Sequence, residues 1–193
     1  MTDNKGCIIV VAAPSGAGKT TIVKNILKAF PEIVFSISAT TRKKRDSETN
    51  GVEYFFISES EFLEKIHDDE FIEWEKFYDY YYGSLKSFVE ENVRKGNSVL
   101  FEVDVKGALN IKRLYPGATL IYIMPPSLEE LKRRLMNRMT ETEEDLKKRI
   151  DRAEMELSQK DKFDCIVVND ELEKAVSEVK KIIKNKINKE EKI

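Results

Sequence analysis

Eight consecutive residues, Ala13-Pro14-Ser15-Gly16-Ala17-Gly18-Lys19-Thr20, have the spacing of a phosphate-binding loop, with alanine where the usual pattern opens on glycine. The chemistry they suit is anion binding. Gly16 and Gly18 let successive backbone N–H groups turn inward around phosphate oxygens, and a helix beginning near Lys19 would add the positive end of its dipole. The ammonium of Lys19 suits the terminal phosphates of ATP, and the Thr20 hydroxyl suits the Mg²⁺ that travels with them. Loops of this kind serve GTPases, motors and kinases alike, so the motif predicts nucleotide binding and leaves the reaction open.

Such a loop works only between a buried strand and a helix, and the flanking residues supply both. Ile8–Ala12 is a continuous apolar, β-branched run, as expected for a strand covered on both faces of a parallel sheet. Residues 20–30 place Ile22, Val23, Ile26, Leu27 and Phe30 on one helical face. Residues 98–103, Thr119–Met124 and Cys165–Val168 are further strand candidates, each followed by a helical pattern. The alternation predicts an α/β fold with a central parallel sheet flanked by helices.

After Pro125 and Pro126, Leu128, Leu131, Leu135 and Met139 line one helix face, and Leu146, Ile150, Ala153 and Leu157 line the next. Thr140 with Glu143 resembles a capping box that would start the second of these helices. Residues 36–86 interrupt the pattern with short strand-like pieces, an Asn50-Gly51 turn and one short helix, and are expected to form an insertion. The tail from residue 185 is expected to be solvated and frayed.

At 193 residues, 41% apolar and 35% charged, the chain fits one compact domain with smaller insertions. A formal net charge of -2 provides no global positive field, so neither nucleic acid nor an anionic membrane is an expected partner. The apolar stretch before the loop is too short to span a bilayer, and the cytoplasm is the expected setting. Cys7 and Cys165 lie in apolar runs without metal-ligand spacing and are expected to be reduced core residues. The single histidine, His67, sits in a charged helical stretch and is given no role.

Beyond the loop, the segments SISATTRKKR, NGVEYFF, EFIEWEKFYDYYYGS, FEVDVKGA, RLMNRMTETEEDLKKR and VVND resemble the guanylate kinase family in order and spacing over nearly the whole chain. The resemblance implies a P-loop core at 1–36, 88–126 and 158–193, a small α+β GMP-binding region at 37–87 and a helical lid at 127–157. The reaction it implies is transfer of the γ-phosphoryl group of ATP to GMP, and to dGMP, by a monomer or homodimer with Mg²⁺ as cofactor.

Carried onto this chain, the family's phosphate grip falls on Arg42, Arg45, Tyr54 and Tyr82, with Ser84 at a further contact position. Arginine's planar fork suits a phosphate better than a point charge does. Glu73, Glu102 and Ser38 would read guanine, whose N1–H and amine are adjacent donors and whose O6 is an acceptor. Asp104, at the carboxyl end of a strand, would position GMP or hydrated Mg²⁺, with a structural role as the alternative. Arg134, Arg138 and Arg149 would close over the transferring phosphoryl group, and Thr21 and Asn169 would complete the ATP contacts, Asn169 at the adenine.

Taken singly, several of these residues have blander readings. RKKR at 42–45 could be a basic surface patch, Glu73 a solvated helix charge, the three arginines surface charge and Asn169 a turn former. Met139 stands where the family usually has glycine, which puts the hinge of the lid in doubt and leaves its charges intact. Two rivals stay open: a scaffold module that binds peptides where GMP would sit, and a related kinase acting on another small phosphate ester.

Overall fold

The computed structural model describes residues 6–77, 79–136 and 143–190, without the side chains of residues 77, 143–146, 189 and 190. Five strands form a parallel sheet: β1 (Ile8–Ala12), β2 (Val34–Phe35), β7 (Val99–Val103), β8 (Thr119–Met124) and β9 (Cys165–Val168), in the order β2-β7-β1-β8-β9. Alternation along the strands divides the core in two. Ile9, Val11, Leu100, Ile121, Ile123 and Val167 meet the apolar faces of α1 (Lys19–Ala29) and α7 (Leu172–Glu190). Ile8, Val10, Val99, Phe101, Leu120 and Tyr122 meet α3 (Lys86–Arg94) and α4 (Val105–Leu114) through Val89, Val105, Ala108 and Ile111. β1 is buried along its whole length because both faces are covered, as its unbroken apolar run predicts.

The interruption between β2 and α3 folds as a second sheet. Its strands are β3 (Ser38–Thr40), β4 (Phe55–Phe56), β5 (Phe71–Phe77) and β6 (Tyr80–Leu85), in the order β4-β3-β6-β5. The helix α2 (Glu59–His67) covers it, started by a full capping box between Ser58 and Glu61. Phe62 fills the interface, stacking on Phe71 at 4.3 Å and on Tyr81 at 5.3 Å between ring centroids.

Pairing of β5 with β6 slips by one residue between Phe71 and Glu73. The extra residue is Ile72, which joins the main core beside Val89 and Val105, whereas Phe71 belongs to the small sheet's own core. This bulge brings β5 against the start of α4 and leaves Glu73 and Glu75, two residues apart, on one face.

Two helices follow β8: α5 (Leu128–Met136) and α6 (Glu143–Leu157), packed through Leu131, Leu135, Ile150, Ala153 and Leu157. Both cysteines are free thiols, but only Cys7 is buried. Cys165 is half-buried because it begins β9, at the sheet's edge, which corrects the expectation of two core cysteines. Among the described residues no helix is long and apolar enough to cross a membrane.

Candidate active site

The phosphate loop occupies the turn between β1 and α1 and opens into a cleft of about 440 Å³ lined by residues 13–21, Glu75, Tyr82, Glu102, Asp104, Arg149, Arg152 and Glu156. Gly18 precedes α1 in the left-handed region, at φ 90°, and a Cβ there would lie 2.4 Å from the Asn169 amide nitrogen. Glycine is thus required twice over, for backbone conformation and for close approach. The Asn169 amide donates to the Ala17 carbonyl at 2.7 Å, so this side chain braces the loop from the end of β9. It also lines a neighbouring crevice of about 280 Å³ with Gly16, Gly18, Thr21 and Arg134.

Lys19 and Thr20, the first residues of α1, project toward the carboxyl end of β7. Lys19 Nζ donates to the Val103 carbonyl at 2.5 Å, and Thr20 Oγ1 donates to Glu102 Oε1 at 2.5 Å. Burial pulls the Lys19 ammonium below the usual lysine range, while the charges of Glu102, Asp104, Glu156 and Glu73 push back toward it. Among the described residues no group of three or more His, Cys, Asp or Glu could hold a metal. The oxygens of Thr20, Glu102 and Asp104 beside the loop are the hard donors that suit Mg²⁺ when ATP phosphates complete its shell.

Across the cleft, the small sheet sets Ser38 opposite Ser84, and Ser84 opposite Glu73. Ser84 Oγ donates to Glu73 Oε1 at 2.6 Å, and Glu73 Oε2 reaches the N-terminal turn of α4 at Gly107. Burial, only partly offset by the Ser84 hydrogen bond, pushes the Glu73 carboxyl up to about 7. Glu73, Ser84 and Ser38 therefore stand together, whereas Glu102 accepts from Thr20 on the loop side.

Arg42 forms a second cluster. Its guanidinium makes a bidentate pair with Glu48 at 2.7 and 3.1 Å and lies 5.4 Å from the Tyr54 ring centre and 5.6 Å from that of Phe56. Tyr82 meets Tyr54 edge-on at 5.9 Å. Hydrogen bonds from Arg42 and from the Arg45 backbone hold the Glu48 carboxyl at about 2. The Arg45 side chain is exposed.

Asp104 caps α4, accepting from the Gly107 N–H at 2.7 Å through Oδ1 and from Arg152 at 2.7 Å through Oδ2. Arg134 pairs with Glu130 and donates to the Asn169 carbonyl at 3.1 Å, placing it beside the crevice rather than in the main cleft. Arg149 lines the main cleft. Arg138, Met139 and the Thr140 half of the capping box lie outside the described residues.

Four further residues come to the site that sequence reasoning did not single out: Glu48, Glu75, Arg152 and Glu156. For Arg152 a signal existed, since residues 149, 152 and 156 fall on one helical face beside the apolar stripe of Ile150, Ala153 and Leu157.

The guanylate kinase family model matches residues 5–186. A guanylate kinase from Thermotoga maritima is 45% identical over 94% of this chain and 87% of its own length. One from Salinibacter ruber is 49% identical over 89% and 92%. The crystal structure of a guanylate kinase from Anaplasma phagocytophilum superposes with a TM-score of 0.75 at 31% identity, over 96% of this chain and 88% of that one. Sequence order, sheet topology and these relatives agree, and the chain belongs to the guanylate kinase family.

Proposed function

We infer that this chain transfers the γ-phosphoryl group of ATP to GMP, giving ADP and GDP, and accepts dGMP as well. The observation that carries the reading is one cleft walled on one side by the phosphate loop with Lys19, and on the other by the sheet that holds the Glu73–Ser84 pair and Tyr82. A peptide-binding scaffold would have no use for the first wall. A kinase for another phosphate ester would have no use for a buried carboxylate held by Ser84 on the acceptor side, which suits guanine's two adjacent donors.

The acceptor is already a phosphate oxygen, so the protein's work is alignment and charge. Residues 15–21 hold the ATP phosphates through backbone N–H groups, and Asn169 keeps the loop in shape. Arg42, Arg45, Tyr54 and Tyr82 fix the GMP phosphate, Glu73 with Ser84 and Ser38 reads the base, and Lys19, Arg138 and Arg149 surround the transferring group, with Arg134 on the neighbouring crevice beside Asn169. Bound Mg²⁺ would be held by Thr20 and Asp104, with Glu102 orienting the Thr20 hydroxyl, and would neutralise charge on the triphosphate. Residues 37–87 close on GMP and 127–157 on ATP, excluding water from the transfer. We place the enzyme in the cytoplasm, as monomer or homodimer, a setting that suits its two free thiols. Incubation with ATP, Mg²⁺ and each nucleoside monophosphate in turn tests the reading: GDP should form, and AMP, CMP and UMP should return unchanged. Equal turnover of AMP would refute it.

Glu73 also gives the reaction a pH dependence. Guanine's two donors need the ionised carboxylate, whereas burial favours the protonated form up to about pH 7, so GMP must displace a proton as it binds below that pH. The KM for GMP should therefore fall as pH rises toward 7, by up to about tenfold per unit in the limit, and level off above it. A plot of log KM for GMP against pH checks this: the GMP phosphate itself titrates near about pH 6 in every variant, so the bend near 7 is the part that Glu73→Gln should lose.

A further inference from the structure

Arg152 occupies an unusual place. From the middle of α6 its Nη2 donates to Asp104 at 2.7 Å and to both oxygens of Glu75 at 3.2 Å, and its Nε donates to Glu156 at 3.0 Å. The three carboxylates come from three parts of the fold: Glu75 from the acceptor sheet, Asp104 from the cap of α4 on the core, and Glu156 from α6 itself. Burial raises the carboxyls of both Glu75 and Glu156, and both are drawn back toward ionisation by Arg152. One helical turn before it, on the same face, Arg149 lines the same cleft. The apolar face of α6 packs on α5 and, through Leu157, on the main core, and Arg152 ties the helix to the acceptor sheet and the cap of α4.

We infer that Arg152 is a positioning residue for phosphoryl transfer: by tying α6 to Glu75 and Asp104, it aims Arg149 at the transferring group and links closure of the lid to the acceptor sheet. The inference rests on the proposed role of Arg149. A planar fork with donors on two edges is what the node requires. A lysine there would keep the charge, but its three donors leave a single nitrogen, whereas Arg152 serves Glu156 from Nε and Asp104 with Glu75 from Nη2. Misplacing a charge-stabilising group by about 1 Å costs on the order of 10²-fold in rate. The effect should therefore appear in kcat, since the phosphate loop that binds ATP is untouched.

The test compares wild type with Arg152→Ala, Arg152→Lys, Glu75→Ala, Arg149→Ala and the Glu75→Ala/Arg152→Ala double variant, in steady-state assays with ATP and GMP varied separately. Thermal unfolding confirms that each is folded. Arg152→Ala should lower kcat by about 10²-fold with the KM for ATP within about threefold of wild type, and lysine should recover less than a tenth of wild-type kcat. Glu75→Ala should lower kcat in wild type and have no further effect in the Arg152→Ala background, because the pair acts as a unit. If Arg152→Ala does not fold, the same cycle is run with Arg152→Lys. A kcat within twofold of wild type for Arg152→Ala, full rescue by lysine, or additive effects of the two substitutions would overturn the inference. Unchanged kcat in Arg149→Ala would instead overturn the role proposed for Arg149.

Discussion

Alanine at position 19 should cut turnover by at least about 10²-fold while leaving GMP binding near the wild-type value, the range seen when a preorganised charge is removed from a transition state. The size of the effect follows from the surroundings. Lys19 stands among Glu102, Asp104, Glu156 and Glu73, and its buried ammonium is the charge that offsets them next to the phosphate loop. Alanine would remove the group that meets the charge developing between donor and acceptor, and would leave carboxylates facing an incoming polyphosphate. The KM for ATP should rise as well. GMP binding should be largely spared, because the residues proposed to grip its phosphate and read its base are hydrogen-bonded within the small sheet and its loops, and Glu73 is the weakest of the four charges acting on Lys19. Single-turnover rates and calorimetric titration with GMP separate the two effects. Retention of more than about a tenth of wild-type turnover would contradict the assignment.

Glu73→Gln should be the more selective lesion. A glutamine keeps the shape and offers one carbonyl oxygen, but its amide N–H would confront a guanine donor, and the charge is lost. Sites built around a substrate's hydrogen-bonding groups discriminate by up to about 10⁴-fold against analogues that lack them, so a large part of the preference for GMP over AMP should disappear. Ser84 restricts the variant further. The serine hydroxyl now donates to Glu73 Oε1, and it can hold the amide oxygen in the same way, turning the amide nitrogen toward the base. kcat/KM for GMP is expected to fall by about 10²-fold or more with ATP affinity within twofold. An unchanged ratio of GMP to AMP turnover would show that the base is read elsewhere.

The core of this fold could be read from sequence because parallel strands buried on both faces leave long β-branched runs. The limits expected for β1, β8 and β9 are those observed, and β7 begins one residue late. β2 escaped notice because two residues carry no period. The small sheet was foreseen only as strand-like fragments: β3 and β4 are three and two residues long, and the bulge at Ile72 breaks the alternation that would have revealed β5. Site residues followed the same logic. The phosphate loop is contiguous and shows its chemistry in eight letters. Glu75 and Arg152 meet across a separation of 77 residues, and no spacing rule connects them. Glu48 reaches Arg42 through an irregular loop, where neither helical nor strand periodicity applies. Asp104 showed its place at the end of a strand, but not that capping α4 and holding Arg152 engage both its oxygens.

The one-residue bulge in β5 has a consequence for how this enzyme can change over generations. It hands Ile72 to the main core and turns Glu73 toward Ser84, so anchoring and recognition are carried by adjacent residues. Point substitutions at 73 can thus sample new acceptor bases while the sheet stays moored, whereas Glu75 is committed to Arg152. Loss of a single residue from the bulge would turn both carboxylates to the opposite face and cast the anchor off at once. Acceptor preference should therefore drift by exchange of side chains, and insertions or deletions should be tolerated at the turn joining β5 to β6, not at its base.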